Sequence, residues 1–330
     1  MMNNRERLDK SAKSKGLYKF FQDNAFLTSG NVQLKSNYSK GKESPWSLAF
    51  AGHCIKDVFK IDDPTFCSKF VQAISGDGQE ANKITTLHSS SLASLLVFYS
   101  VSNDNPIYVR VNDKEEKFIE SRFEVRNEVS PGSGNYSNID VVLLGENCIM
   151  YLESKFSEYL GSKPVEVKKV DYYNKIYERL SGILKEAGVH LVEKESKRFL
   201  ESIEDKPFYN EGLKQMISHY LGVTTELMKG DDQFSGKKVV LGEILFEFGD
   251  RVPKASDKYQ SYKNAYGILQ EGLARCAEED DTGLIINNLT TYQYVLGSEL
   301  NHKYLMNLPE SIRQFYRFDE IKYSDAHQKL

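Results

Sequence analysis

Residues 138–156 read NIDVVLLGENCIMYLESKF. Two apolar runs, 139–144 and 148–152, flank Gly145, Glu146 and Asn147, which is turn chemistry. The pattern is a β-hairpin. With Glu146 and Asn147 at the centre of a two-residue turn, the numbers of paired residues sum to 293, and Asp140 falls opposite Glu153. Cross-strand Cβ atoms sit roughly 5 Å apart. Lys155, two residues beyond Glu153, projects from the same face. Two carboxylates and an ammonium therefore meet at the end of an apolar hairpin. Adjacent carboxylates repel, and one is driven neutral unless a cation intervenes. A divalent ion such as Mg²⁺ takes oxygen ligands of this kind and completes its shell with water and phosphate. The plainer alternative is a surface ion pair between Glu153 and Lys155, which contributes little.

Working outward, Arg122 to Val129 (RFEVRNEV) alternates apolar and charged residues and reads as a half-buried strand preceding the hairpin. Glu124 and Glu128 share its polar face. Either can supply a third carboxylate; Glu128 is favoured because it lies nearer the hairpin. Upstream, Thr85 to Val101 predicts a buried helix whose serines cap its start. Two earlier helices are predicted, Ser47 to Lys60 and Thr65 to Ser75. Downstream, Asp171 to Gly188 and residues 208–224 carry helical apolar stripes. Gln215 lies in the second of these. Lys237 to Phe248 predicts a core strand, Tyr259 to Cys276 a helix, and Leu284 to Ile286 a short strand. Short helices are predicted over Thr290 to Leu296 and Pro309 to Tyr316.

In 330 residues, hydrophobic content of 40% and aromatic content of 12% suffice for a sizeable core. The net charge of −4 gives no overall nucleic-acid signature. The distribution is uneven: residues 1–42 hold nine Lys and Arg against Glu6, Asp9 and Asp23, a balance of +6, so the remainder carries −10. Residues 1–45 are read as a basic arm able to meet a phosphate backbone, or as a solvated tail; 46–330 are read as one domain. The four cysteines are scattered without metal-ligand spacing, which points to a reducing compartment. The first residues lack an apolar signal core and no run is long enough to span a bilayer, so a cytoplasmic protein is expected. No Gly-rich phosphate loop argues for a nucleotide cofactor.

The arrangement of Asp140, a short gap, and then Glu153-Ser154-Lys155 resembles the signature of the PD-(D/E)XK nuclease superfamily, with Ile139 in place of its proline. The resemblance implies an α/β fold: a restriction-endonuclease-like core over about residues 85–290, its central mixed sheet flanked by helices, with helical additions at both ends. It implies a metal-dependent endonuclease hydrolysing DNA phosphodiesters. Mg²⁺ or Mn²⁺ would be held by Asp140, Glu153, the Ser154 carbonyl and one of Glu128 and Glu124. Lys155, its pKa lowered by burial and the dication, would activate water. The helix after the Glu-x-Lys strand often sends a Gln to such a site, and Gln215 occupies that place. DNA is the implied partner, and a homodimer is compatible. A non-catalytic nucleic-acid or protein binding module of the same fold is the alternative; a chance motif in a structural protein is the other.

Overall fold

The computed structural model describes residues 45–74, 84, 89–132, 134–160, 185, 189–194, 197–202, 211–252 and 254–321. Residues 1–44 of the basic arm expected over 1–45, and all but Lys185 of the helix expected from Asp171 to Gly188, lie outside the described residues.

Helices α1 (Pro45–Val58), α2 (Phe66–Ala73) and α3 (Ser90–Phe98) come first. Ser89 caps α3 through its hydroxyl, which accepts from the Leu92 N–H at 3.2 Å. From Ser91 to Phe98 every residue of α3 is buried, so this helix packs on all sides. A hairpin follows that periodicity did not single out: β1 (Ile107–Val111) and β2 (Lys114–Phe118), with Asn112 at φ 53 in its two-residue turn.

The core is a six-stranded mixed sheet. Strands β3 (Glu120–Glu128), β4 (Tyr136–Leu144) and β5 (Cys148–Lys155) form an antiparallel meander. The β4–β5 pairs are Val141↔Leu152 to Leu144↔Ile149, the register summing to 293. Gly145 N–H bonds the Cys148 carbonyl at 2.8 Å, closing the turn around Glu146 and Asn147. Gly145 is required by crowding: a Cβ there would meet the Lys117 carbonyl oxygen at 2.3 Å, so β2 can cross the turn only if the side chain is absent.

After a second hairpin, β6 (Val189–Lys194) and β7 (Lys197–Ser202), the chain enters α4 (Glu211–Met228). Strand β8 (Lys238–Leu245) then runs parallel to β5, placing Glu243 beside Glu153. The long α5 (Ala255–Glu279) leads to β9 (Leu284–Ile286) and β10 (Thr290–Thr291), both parallel to β8. Thus the region expected as helix from Thr290 begins as a short strand, and α6 (Tyr292–Leu296) starts only after Thr291 has capped it. Helices α7 (His302–Asn307) and α8 (Glu310–Phe315) close the described chain. Their aromatic neighbours Tyr316 and Phe318 join Phe156 and Phe246 in one ring cluster under the end of β5. This is an α/β fold with a central mixed sheet flanked by helices, consistent with a restriction-endonuclease-like core.

One departure from regular pleating occurs in the meander. The β3–β4 ladder pairs Phe123↔Val141 and Val125↔Ile139 but skips Glu124 and Asp140 between them. Glu124 has φ 49, left-handed backbone that a strand residue seldom adopts. With an unbroken pleat, the 293 register would set Ser137 and Glu153 on opposite faces of the sheet. Instead His219 bonds both. The strands therefore change the face they present at this break.

Candidate active site

The site lies where β5 ends against α4. Glu153 and Lys155 are successive residues on one face of β5. The Lys155 ammonium donates to Glu153 Oε1 and, at 2.8 Å, to Gln215 Oε1. His219 Nε2 donates to Glu153 Oε2 at 2.7 Å, and His219 Nδ1 meets the Ser137 hydroxyl. Gln215 and His219 are four apart on α4 and so share a face. The helix can approach this closely because position 222 is glycine. A Cβ there would lie 3.0 Å from the Asn127 Cβ and 3.2 Å from the Ser137 Cβ.

Asp140 adjoins the same spot from β4. Its Oδ2 accepts the Ser154 N–H at 2.8 Å. Ser154 turns to the other side of the sheet, its hydroxyl bonding the Ser90 carbonyl at 3.2 Å and the Tyr292 hydroxyl at 2.7 Å. Glu124 is level with Asp140 across β3 and is buried. Glu128, favoured on sequence as the third carboxylate, lies elsewhere. It is four residues along, roughly 13 Å, and its carboxylate is 3.7 Å from the Lys229 ammonium. A strand's two-residue period cannot choose between positions four apart, and the break at Glu124 was not legible in it.

The electrostatics follow from burial and partners. Burial opposes a charge on Glu153, but Lys155 and His219 hold its carboxyl well below the usual range. Burial likewise opposes the Lys155 charge. Glu153, with Glu158, Asp140 and Glu243, nevertheless raises its pKa above the ordinary lysine value. Of the expected lowering of the Lys155 pKa by burial and a dication, the burial part is present, and in the metal-free fold the carboxylate neighbours outweigh it. Glu243 behaves differently. Burial pushes its carboxyl up to about 8; Tyr262 donates to Oε1, and Oε2 has no partner among the described residues.

The oxygen-only set of Asp140, Glu153 and Glu243 suits a hard divalent cation. An ionised carboxylate offers about four lone-pair directions. Lys155 and His219 each take one on Glu153, so acceptor capacity remains on both oxygens. The orphaned Glu243 Oε2 is a further buried oxygen in need of a partner. No three His, Cys, Asp or Glu side chains are grouped as a ready cage among the described residues. Mg²⁺ needs only one or two carboxylates beside water and phosphate, so the donor set fits.

Sequence reasoning missed His219, Ser137 and Glu243. His219 stands at helical spacing from Gln215, and Glu243 interrupts an apolar strand as Asp140 does. Those two signals were available. The role of Ser137 depends on the strand break and had no signal.

Residues 31–236 match the model of a family described as restriction endonuclease associating with ARP. The chain belongs to this family. No curated protein and no solved structure matches it. The match to the restriction endonuclease associating with ARP family spans the meander, the site strand β5, and all of α4. It ends before Glu243. Among the described residues no helix is long and apolar enough to cross a membrane.

Proposed function

We propose that the chain is a metal-dependent endonuclease of the PD-(D/E)XK kind acting on DNA. The observation that carries this reading is the convergence of Glu153, Lys155 and Gln215 through a single ammonium, with Asp140 bonded to the intervening Ser154 N–H. A surface ion pair would be exposed, whereas here both charged groups are buried. Buried, perturbed ionisable groups of this kind are characteristic of reacting centres.

Asp140 and Glu153 would hold Mg²⁺ or Mn²⁺, with Glu124 and Glu243 as the nearest further carboxylates. The cation would supply charge neutralisation at the phosphoryl group and a more acidic bound water. Lys155, kept as an ammonium, is suited to orienting the attacking water and stabilising charge on phosphate oxygens. It is not suited to accepting a proton while it remains charged. Gln215 fixes the ammonium's second direction. The basic balance of residues 1–42 suits them to contacts with the DNA backbone.

A second reading is favoured by one feature. Glu153 and Lys155 are only 1% and 4% exposed and neutralise each other, as they would in an inert binding module of this fold. The test is cleavage of plasmid and single-stranded DNA with Mg²⁺ or Mn²⁺. The wild type should cleave. Asp140→Asn should not, and Lys155→Met should lose roughly 10²–10³-fold, the worth of one donor to developing charge. Retained DNA binding with no wild-type cleavage would establish the binding module instead.

A further inference from the structure

His219 has no place in the sequence signature, yet it bonds Glu153 directly from a separate element, α4. It is 3% exposed, and both its ring nitrogens are engaged. A carboxylate can only accept, so Nε2 must carry the proton in the bond to Glu153. Nδ1 then faces the Ser137 hydroxyl, which can donate to it or accept from it. The ring is held at both ends, by Ser137 of β4 and by Glu153 of β5.

We propose that His219, seated by Ser137, is a positioning residue for Glu153. It holds Oε2 while Lys155 holds Oε1, fixing the carboxylate plane and leaving the remaining lone pairs aimed where a divalent cation would sit. This inference rests on the nuclease reading. The physical ground is general: a ligating carboxylate left to rotate spreads its lone pairs over many directions, and a hydrogen bond from behind removes that freedom. Lys155 alone cannot do this, because its ammonium, tied to Gln215, holds only Oε1 and leaves the carboxylate free to turn about that oxygen. An imidazole clamped between Ser137 and α4 holds Oε2 and stops that turn. The change of face at Glu124 and Asp140 is what brings Ser137 to the Glu153 side of the sheet.

The experiment uses the full chain and four proteins: wild type, His219→Ala, His219→Gln and Ser137→Ala. Three quantities are read from each: thermal midpoint, Mn²⁺ affinity by calorimetry without DNA, and kcat and KM for plasmid cleavage. His219→Ala should weaken Mn²⁺ binding and lower kcat by about 10–100-fold, the usual cost of losing such an outer partner. KM for DNA should be unchanged. His219→Gln, which can still donate an N–H to Glu153, should recover a large part of both losses, and Ser137→Ala should show a smaller loss of the same kind. If His219→Ala is less stable but binds Mn²⁺ and turns over within about twofold of wild type, the proposal is overturned and the nuclease reading stands. If the folded wild type neither binds Mn²⁺ nor cleaves, both fall together.

Discussion

Glu153 and Glu243 are direct partners on parallel strands, both buried, yet their carboxyls are displaced in opposite directions. Burial pushes each one up. On β5 it is overcome by Lys155 and His219, which touch the carboxylate directly. On β8 the Tyr262 hydroxyl bonds one oxygen, and the other has no partner among the described residues. Lys155 favours the ionised form of Glu243 too, but from a distance that does not offset desolvation. Depth therefore does not decide charge in this sheet; the groups touching each carboxyl do, Lys155 of β5 first and then the neighbouring helix. Helix α4 brings a ring N–H to its carboxylate, and α5 brings a phenol.

The sharpest way to break this difference is Glu153→Gln. The amide cannot compensate Lys155, and its NH₂ would face the His219 donor. Leaving one partner of a buried pair uncompensated costs about 3–5 kcal/mol. Urea unfolding at neutral pH should register that loss, along with the loss of cleavage. A cost below about 1 kcal/mol would mean that Lys155 is satisfied by Asp140 and Glu158 without Glu153.

That contrast marks where the sequence was informative. The hairpin register was readable because a two-residue turn leaves one pairing, and Asp140 stood out as a charge in an apolar strand. Gln215 could be placed because α4 has a clean helical stripe. The mixed sheet was implied by the resemblance that Asp140 and Glu153-Ser154-Lys155 carry, with which the order of apolar runs agrees. What could not be read depends on two chain segments meeting: the left-handed Glu124, the crowding at Gly145, and the selection of Glu124 over Glu128 as the carboxylate level with Asp140. The short strands β9 and β10 take their structure from the edge of β8, so Thr290 and Thr291 carried little signal of their own.

Glu243→Gln probes the other side. A carboxyl kept protonated in the fold binds a proton that the unfolded chain releases above its ordinary value of 4.5. Its stabilisation is complete below that pH and is lost as the pH rises through about 8. Between those limits metal-free protein should lose up to about 1.4 kcal/mol per pH unit on this account. The Gln variant should be flatter from pH 5 to 9, with a residual slope from Glu247, which burial also raises. Below about pH 4.5, where the carboxyl is protonated in both states, it should match wild type in stability, since an amide oxygen still accepts from Tyr262; near pH 6 it should be the more stable by up to about 2 kcal/mol. Equal slopes in thermal melts of the two proteins would show that Glu243 is ionised in the fold.

The smallest expected effect separates the two carboxylates most cleanly. Gly222→Ala gains about 1 kcal/mol of helix propensity. It also forces a Cβ to 3.0 Å and 3.2 Å from the Cβ atoms of Asn127 and Ser137, where neither neighbour is a flexible side-chain end. Overpacking of this kind costs about 1–3 kcal/mol, so a net loss of about 1 kcal/mol is expected. Relief requires α4 to lift by a few tenths of an ångström. That loosens the 2.7 Å bond from His219 to Glu153 and the 2.8 Å bond from Lys155 to Gln215. Tyr262, on α5, has no such reason to move. Glu153, whose carboxyl is held low, stabilises the fold above the ordinary carboxylate range and loses that contribution as the pH falls. Gly222→Ala should therefore shrink the acid limb of the stability profile and leave the alkaline limb set by Glu243 in place. Thermal melts from pH 3 to 9 read both limbs at once. If the two limbs shrink together, α4 supports the sheet as a whole, and the difference between the two carboxylates has another origin.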